Sequence, residues 1–189
     1  MYEEYSKALK KMLCEKRYNH SLNVANEAER LARRYGEDLE KAYLAGLVHD
    51  VLKDTSTDTL LKIANKFDIM LDSVELSATK LLHARIGCEY LKNVFGIDDP
   101  LIFNAVKYHT TGRAGMTLFE KIIFVADFIS ADRNYDGVEK IRKSAYSDLD
   151  SAVIEGLSFT VKELAGLYKP IHPNTIEAYN EAVSQKNNF

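Results

Sequence analysis

The stretch LEKAYLAGLVHDVLK, residues 39–53, decides the fold. Its centre is apolar on almost every side, a pattern typical of a helix buried inside a larger helical structure. His49 and Asp50 interrupt this apolar run. A carboxylate is seldom buried without a compensating positive charge, because removing it from water costs a large amount of free energy. The sequence therefore predicts a buried helix that continues to Lys53 and holds His49 and Asp50 next to a cation.

Helical periodicity continues on both sides of this stretch. Upstream, apolar residues recur with His20 at helical spacing, and Gly36 ends that segment. Sustained two-residue alternation, which a half-buried strand requires, does not occur in the sequence. We therefore predict an all-α fold, a single helical bundle. The expected helix starts are Ser56 or Thr57, Asp99 followed by Pro100, and a capping box of Thr117 with Glu120. Further helices are expected at 78–95, 138–146, 148–168 and 174–184.

Length, composition and charge limit the class of protein. The chain has 189 residues, which predicts one domain over 1–189, with 138–189 packing as helices on the preceding part. The 25 basic and 28 acidic residues give a net charge of −3, so no nucleic-acid partner is expected. The longest apolar runs fall far short of the ~20 residues that span a bilayer. The start lacks a signal-peptide core and the chain has two cysteines, which favours the cytoplasm and no membrane.

Four histidines and two aspartates lie on or beside the apolar helical faces. In chain order they are His20, His49, Asp50, His83, His109 and Asp127. Any one histidine in such a position is most often a core residue with a satisfied hydrogen bond. No basic residue is close to Asp127 in the sequence, and imidazoles with carboxylates suit zinc, iron or manganese. The whole set therefore predicts a buried metal site within the bundle.

Five short motifs carry a resemblance to a known superfamily. They are R-x-x-H-S at Arg17–Ser21, H-D-V-L-K at His49–Lys53, His83 with Gly87, H-T-T-G at His109–Gly112 and A-D-F-I at Ala126–Ile129. Together they resemble the HD-domain metal-dependent phosphohydrolases, over about residues 14–135. The run from His109 to Ile129 more narrowly resembles the YqeK family of symmetrical diadenosine tetraphosphate hydrolases. Ala131 stands where that family often has proline, a minor departure.

The resemblance implies metal ligands and a cofactor. The core ligands of one ion would be His20, His49, Asp50 and Asp127. In this family that ion is iron, and manganese or zinc are alternatives. Asp50 would also face a second metal position. His83 and His109 would either complete that second site or donate to a substrate phosphate, so the cofactor would be mono- or dinuclear.

The resemblance also implies the reaction. Water would attack a central phosphorus of diadenosine tetraphosphate, and the products would be two nucleoside diphosphates. Asp50 would orient the attacking oxygen, Lys53 and Arg133 would hold phosphate oxygens, and His83 or His109 would serve the leaving oxygen. Two alternatives stay open: another HD nucleotide phosphohydrolase (a nucleotidase or phosphodiesterase), and a catalytically silent nucleotide-binding module. A homodimer is also left open.

For several further residues, an ordinary structural or surface role is an alternative to a functional one. Arg17 lies one turn before His20 and either reaches the substrate or is a solvated helix-face residue. Thr110 either contacts phosphate or shapes the turn after His109. Tyr135 and Tyr168 are candidates for a base pocket that the sequence does not decide. His172 lies between two prolines, and a surface position is favoured over stacking on a base.

Overall fold

The computed structural model describes residues 2–187, and this part of the chain consists of helices and their connections. No strand occurs between residues 2 and 187, which confirms the predicted all-α fold. The helices are α1 Glu3–Met12, α2 Glu15–Tyr35, α3 Leu39–Val48, α4 Thr57–Lys66, α5 Ser73–Ser77, a 3₁₀ turn Thr79–Leu81, α6 Leu82–Phe95, α7 Pro100–Tyr108, α8 Leu118–Ile129, α9 Val138–Ser147, α10 Leu149–Gly166 and α11 Pro173–Asn187. No helix among residues 2–187 is long and apolar enough to cross a bilayer.

Helices α2, α3, α7 and α8 form the centre of the bundle. Helix α2 packs on α3 and α8, while α3 also packs on α7 and α8, and α6 lies against α7. Burial of apolar side chains drives this packing, and residues such as Leu47 and Ile122 are almost fully buried there. Helix α10 packs on α8, α9 and α11. The ends of the central helices are thereby brought to one place in the bundle.

Several predicted helix ends are present. The Ser56 side chain accepts a hydrogen bond from the Thr59 backbone N–H, and Asp99 caps α7 with Pro100 as its first residue. Thr117 and Glu120 form the complete capping box at the start of α8. Gly36 ends α2 with φ at +81°, a left-handed conformation that glycine adopts without steric cost. Local sequence chemistry therefore sets these boundaries.

Two predicted boundaries are wrong. The helix expected to reach Lys53 ends at Val48, and residues 49–54 form a series of tight turns. The His49 imidazole N–H donates to the Gly46 carbonyl. Backbone amides that follow donate to the carbonyl three residues earlier, as the Lys53 N–H does to Asp50. His49 and Asp50 thus follow the helix instead of lying within it. The helix expected from residue 78 begins at Leu82, after the 3₁₀ turn.

Gly46 is the point of closest approach between α2 and α3. A Cβ atom at position 46 would lie 2.7 Å from the Ala25 Cα and 2.9 Å from the Val24 carbonyl oxygen. Real Cβ atoms do not approach backbone so closely, so any side chain there would push the two helices apart. The absence of a side chain lets α2 and α3 pack with His20 beside the end of α3.

Candidate metal centre

The six residues singled out by the sequence meet at the centre of the bundle. His20 lies in the middle of α2, His49 follows α3, and His83 is in the first turn of α6. His109 follows α7, and Asp127 lies near the end of α8. The four histidines and Asp50 are each at most 4 % exposed. Packing of five different helices is therefore needed to bring these side chains together.

Three overlapping triads of possible ligand atoms, each within 4.8 Å of one another, lie in the cluster: His20–His49–Asp50, His49–His109–Asp127 and Asp50–His83–His109. For the description that follows, we divide these six residues into two groups that share Asp50. The first group is His20, His49, Asp50 and Asp127; the second group is Asp50, His83 and His109. In the first group, His20 Nε2 lies 3.0 Å and His49 Nε2 lies 3.9 Å from Asp127 Oδ1. In the second, Asp50 Oδ1 lies 3.0 Å from His83 Nε2 and 3.4 Å from His109 Nε2. Asp50 belongs to both groups.

Each histidine uses Nδ1 for a hydrogen bond and leaves Nε2 facing the cluster. The Nδ1–H groups of His49, His83 and His109 donate to backbone carbonyls three residues earlier, at 2.7, 2.6 and 2.7 Å. His20 differs, because its Nδ1 lies 2.8 Å from a carboxylate oxygen of Asp132. Such hydrogen bonds fix the tautomer and ring orientation of metal-binding histidines. Four Nε2 atoms are thus preset toward the same small volume.

Two buried polar atoms in the cluster have no hydrogen-bond partner within the part of the chain described. They are His49 Nε2, in the first group, and Asp50 Oδ1, in both groups. A buried polar atom without a partner is destabilising, so it is rare unless another group satisfies it. Imidazole nitrogen and carboxylate oxygen are the ligands that iron, manganese and zinc accept. The residues present therefore fit a metal ion.

The electrostatics of the two groups differ. Burial alone would raise the pKa of Asp50, but the neighbouring His49, His109 and His83 imidazoles hold that pKa well below its usual range. Burial lowers the pKa of His49 and of His83 to about 4. Burial also acts to lower the pKa of His20, yet its hydrogen bond to Asp127 leaves that pKa raised. The cluster thus holds ionised carboxylates beside the neutral imidazoles of His49 and His83, the protonation states that metal ligands need.

Three cations surround the carboxylates. Arg17 Nη1 donates to Asp50 Oδ2 at 3.1 Å, so Arg17 does lean into the cluster. Lys53 Nζ lies 3.5 Å from Asp50 Oδ1 and 3.1 Å from His83 Nε2. Arg133 pairs with the Asp127 carboxylate and also donates to its backbone carbonyl at 2.7 Å. Asp127 therefore has a basic neighbour six residues along the chain, which its immediate sequence did not indicate.

The other sequence candidates have separate positions. Thr110 lines neighbouring cavities together with Leu81 and His172. Tyr135 lines a cavity of about 210 Å³ that also includes Asp127 and Arg133. Tyr168 is 97 % exposed.

The expected surface position of His172 is wrong. Its ring is buried. Nε2 donates to Asp72 Oδ2 at 3.1 Å, and Nδ1 accepts from the Asn174 backbone N–H at 3.1 Å. Asp72 and His172 are 100 residues apart in the chain, so local sequence carries no signal of this contact.

Sequence reasoning missed two residues beside the cluster. Asp132 accepts from His20 and also from Asn23 Nδ2 and Ser130 Oγ, each at 3.0 Å. Lys80 supplies the backbone carbonyl that orients His83, and it lines a cavity that also includes that histidine. The sequence offers one signal for Asp132: it lies five residues after the candidate ligand Asp127.

Comparisons with known proteins agree with this geometry. The HD domain family model matches residues 17–132. The symmetrical bis(5'-nucleosyl)-tetraphosphatase of Halalkalibacterium halodurans is 36 % identical over 94 % of this chain and 95 % of its own. The enzyme of the same name from Bacillus subtilis is 36 % identical over 96 % of this chain and 97 % of its own.

A solved structure from Clostridium acetobutylicum, described as a predicted HD superfamily hydrolase involved in NAD metabolism, is also similar. It matches with a TM-score of 0.95 and 40 % identity, and the alignment covers 98 % of both chains. The HD domain match spans more than half of the 189 residues and includes the histidines and aspartates of both ligand groups. The chain therefore belongs to the HD domain family, together with these symmetrical bis(5'-nucleosyl)-tetraphosphatases.

Proposed function

We propose that this protein is a metal-dependent hydrolase that cleaves diadenosine tetraphosphate symmetrically into two molecules of ADP. The observation that carries the substrate is the 36 % identity to enzymes of that name across nearly the whole chain. The ligand pattern by itself supports only hydrolysis of a phosphate ester or anhydride. The two unpartnered buried atoms, His49 Nε2 and Asp50 Oδ1, support the metal dependence.

The first group would hold one ion, and the second group would either hold another, with Asp50 shared, or bind a substrate phosphate. Iron is the metal we propose, and manganese or zinc would be accepted by the same donors. When bound, such a metal lowers the pKa of coordinated water toward neutrality and neutralises phosphate oxygens. We also propose that residues 14–135 form the catalytic part of one domain and that the helices after residue 138 pack on it. Residues 1, 188 and 189 of that proposed domain lie outside the described part of the chain.

The side chains of this protein would perform three tasks. Asp50, ionised and fixed by Arg17, would orient the attacking water toward a central phosphorus. Lys53 and Arg17 on one side and Arg133 on the other would bind the non-bridging phosphate oxygens through charge-assisted hydrogen bonds. His83 or His109, whose Nε2 atoms lie 3.2 Å apart, would hold the bridging oxygen as its bond to phosphorus breaks. Thr110 would contact the part of the substrate beyond these phosphates.

Chromatography of the reaction products tests the proposal. Protein purified without oxygen and loaded with Fe²⁺ is incubated with diadenosine tetraphosphate, and ADP is expected as the single nucleotide product. ATP together with AMP would show asymmetric cleavage and contradict the proposal. The same preparation, run on a sizing column, tests the homodimer that the sequence leaves open. Two free cysteines and a nucleotide substrate favour the reducing cytoplasm as its compartment.

A second candidate is another HD nucleotide phosphohydrolase. The description of the similar Clostridium acetobutylicum protein, which refers to NAD metabolism, favours including pyridine dinucleotides in the test. Parallel assays with NAD, AMP and a simple phosphodiester separate this candidate from the first. Bound metal without turnover of any of these compounds would indicate a silent nucleotide-binding module.

A further inference from the structure

The last turn of α8, which carries Asp127, is capped by side chains from the segment that follows it. The final carbonyls of a helix have no partner within the helix and must find one elsewhere. Three consecutive carbonyls of α8 accept from side chains: Asp127 from Arg133 Nε at 2.7 Å, Phe128 from Tyr135 Oη at 3.0 Å, and Ile129 from Arg142 Nε at 3.0 Å. The helix dipole also favours cations at this end. Residues after α8 thus hold the turn that carries a candidate ligand.

Arg142, in α9, donates to three backbone carbonyls around the loop from Ser130 to Arg133. Its Nε bonds to Ile129, and its Nη2 bonds to Ser130 at 3.0 Å and to Arg133 at 2.8 Å. The guanidinium is planar and presents its donors in a fixed arrangement. One side chain therefore fixes both ends of this loop to the helix that follows it.

Asp132 lies within this loop and bonds to α2. Its Oδ2 accepts from His20 Nδ1 at 2.8 Å, and its Oδ1 accepts from Asn23 Nδ2 at 3.0 Å. Asp132 is in a turn and not in a helix, so its position depends on the hydrogen bonds that hold the loop. Because Arg142 holds the backbone carbonyls on both sides of Asp132, it determines where this carboxylate meets His20.

Helix α9 is itself tied to α2, the other helix that the loop contacts. Tyr35 Oη donates to the Ala145 carbonyl at 2.7 Å, and Tyr146 Oη donates to Glu27 Oε1 at 2.6 Å. Tyr35 and Glu27 belong to α2, whereas Ala145 and Tyr146 belong to α9. Arg142 therefore acts from a helix whose position relative to α2 is fixed by its own hydrogen bonds.

We propose that Arg142 is a positioning residue for the first group. Through the loop it holds the Asp132 carboxylate on His20 Nδ1, and this contact keeps His20 Nε2 directed at the metal site. Among residues 2–187, the hydrogen bonds of Arg142 go to Glu139 and to backbone carbonyls, so its effect on the site passes through the loop. The inference rests on the proposed function for the metal, whereas the contact of Asp132 with His20 does not depend on it.

The first measurement is made on the metal-free protein with ¹⁵N-labelled histidine. A histidine N–H held by a carboxylate exchanges slowly with water and gives a downfield proton signal, which His20→Gln assigns. Arg142→Met is expected to lose the His20 Nδ1–H signal, with helical content unchanged in circular dichroism. Lys143→Met, at the next and exposed position of α9, is the matched control and should retain the signal. A signal that is absent from the wild type, or unchanged in Arg142→Met, would overturn the inference.

The second measurement is the Co²⁺ affinity of the metal-free protein in a double-mutant cycle. Arg142→Met should weaken binding about 5- to 20-fold, since residues that orient a metal-binding histidine change affinity by about 10- to 100-fold. In an Asp132→Ala background the same substitution should weaken binding by about twofold or less, because the residue through which it acts is gone. Equal factors in both backgrounds would show that Arg142 serves only the packing of the bundle, and would contradict the proposal.

A variant that does not fold has a substitute. Arg142→Lys keeps the charge but replaces the planar fork by a single ammonium group, and the same outcomes apply to it. A wild-type protein that binds no Co²⁺ would refute the proposed metal dependence, while the His20 signal still tests the role of Arg142. A wild-type protein that binds metal but does not cleave diadenosine tetraphosphate would refute the proposed substrate alone.

Discussion

The two ligand groups share Asp50 but differ in the charges around them. In the first group, His20 has carboxylates on both ring nitrogens, Asp127 at 3.0 Å and Asp132 at 2.8 Å. In the second group, His83 has the Lys53 ammonium 3.1 Å from its Nε2 and Asp50 as its carboxylate neighbour. The first group therefore has three carboxylates, Asp50, Asp127 and the neighbouring Asp132, with Arg133 paired to Asp127. The second group has one carboxylate, Asp50, with the Lys53 ammonium beside it. This difference indicates a tight cation site next to a position that also meets anionic substrate.

The largest expected effect follows from removing the residue that the groups share. Asp50→Ala should abolish both turnover and most bound metal, because each group loses its central carboxylate. We expect kcat to fall by about a thousandfold or more, with helical content unchanged in circular dichroism. The measurements are metal content by mass spectrometry and steady-state kinetics. Asp58→Ala, on the exposed side of α4, is the control. Wild-type metal content in Asp50→Ala would show that neither group binds metal through this carboxylate.

Single histidine substitutions separate the groups. His20→Ala should lose most of the tightly bound metal. His83→Ala and His109→Ala should retain that metal but lower kcat by about a hundredfold. The reason is that the tight ion is assigned to the carboxylate-rich group. Equal loss of metal from the three variants would mean that the groups act as one site and would remove the distinction drawn above.

Asp132 provides a finer test, since it acts on the first group through His20 alone. Asp132→Asn keeps the shape of the side chain but removes its charge, and should weaken the first metal by about 10- to 100-fold. Titration of the metal-free protein with Co²⁺, followed by its visible absorption, gives the affinity without reference to turnover. Asp136→Asn, in the same loop, is the matched control. If Asp132→Asn binds metal as wild type does, the hydrogen bond to His20 does not tune that site.

The smallest effect concerns pH and the metal-free protein. Burial holds the pKa of His49 and His83 at about 4, against 6.5 for an exposed histidine. Between these values the unfolded chain binds more protons than the folded protein, so stability falls as the pH falls. From pH 7 to pH 5 each histidine should lower the free energy of unfolding by about 1–2 kcal/mol. Urea titrations at both pH values measure this, and His83→Gln should show a smaller decrease than wild type.

The sequence predicts most of the bundle and of the cluster because both depend on local patterns. His20 and Asp127 stand out as polar residues within helices whose apolar period is regular. Asp99 and Thr117 mark helix starts through short-range hydrogen bonds. The two ligand groups follow from the order of motifs shared with the HD-domain proteins, and their roles as ligands stay predictions.

What the sequence could not provide depends on contacts between distant segments and on hydrogen bonds of single side chains near helix ends. Asp132 and His20 are 112 residues apart, and no local pattern links them. The end of α3 at Val48 results from the His49 ring competing for the Gly46 carbonyl, which helical periodicity does not register. The pairing of Arg133 with Asp127 requires the loop after α8 to turn back. These errors thus arise where a tertiary contact or a local side-chain hydrogen bond overrides the helical pattern.

Gly46 has a consequence for how function is searched for in such proteins. With backbone 2.7 Å from where its Cβ would be, the clearance between α2 and α3 is too small for any side chain at this position. This clearance sets how far His20 can be from His49, and the same residue's carbonyl sets the rotation of the His49 ring. A scan restricted to side chains that ionise or coordinate would pass over position 46. Part of the reactivity of this protein is thus specified by a residue that has no side chain.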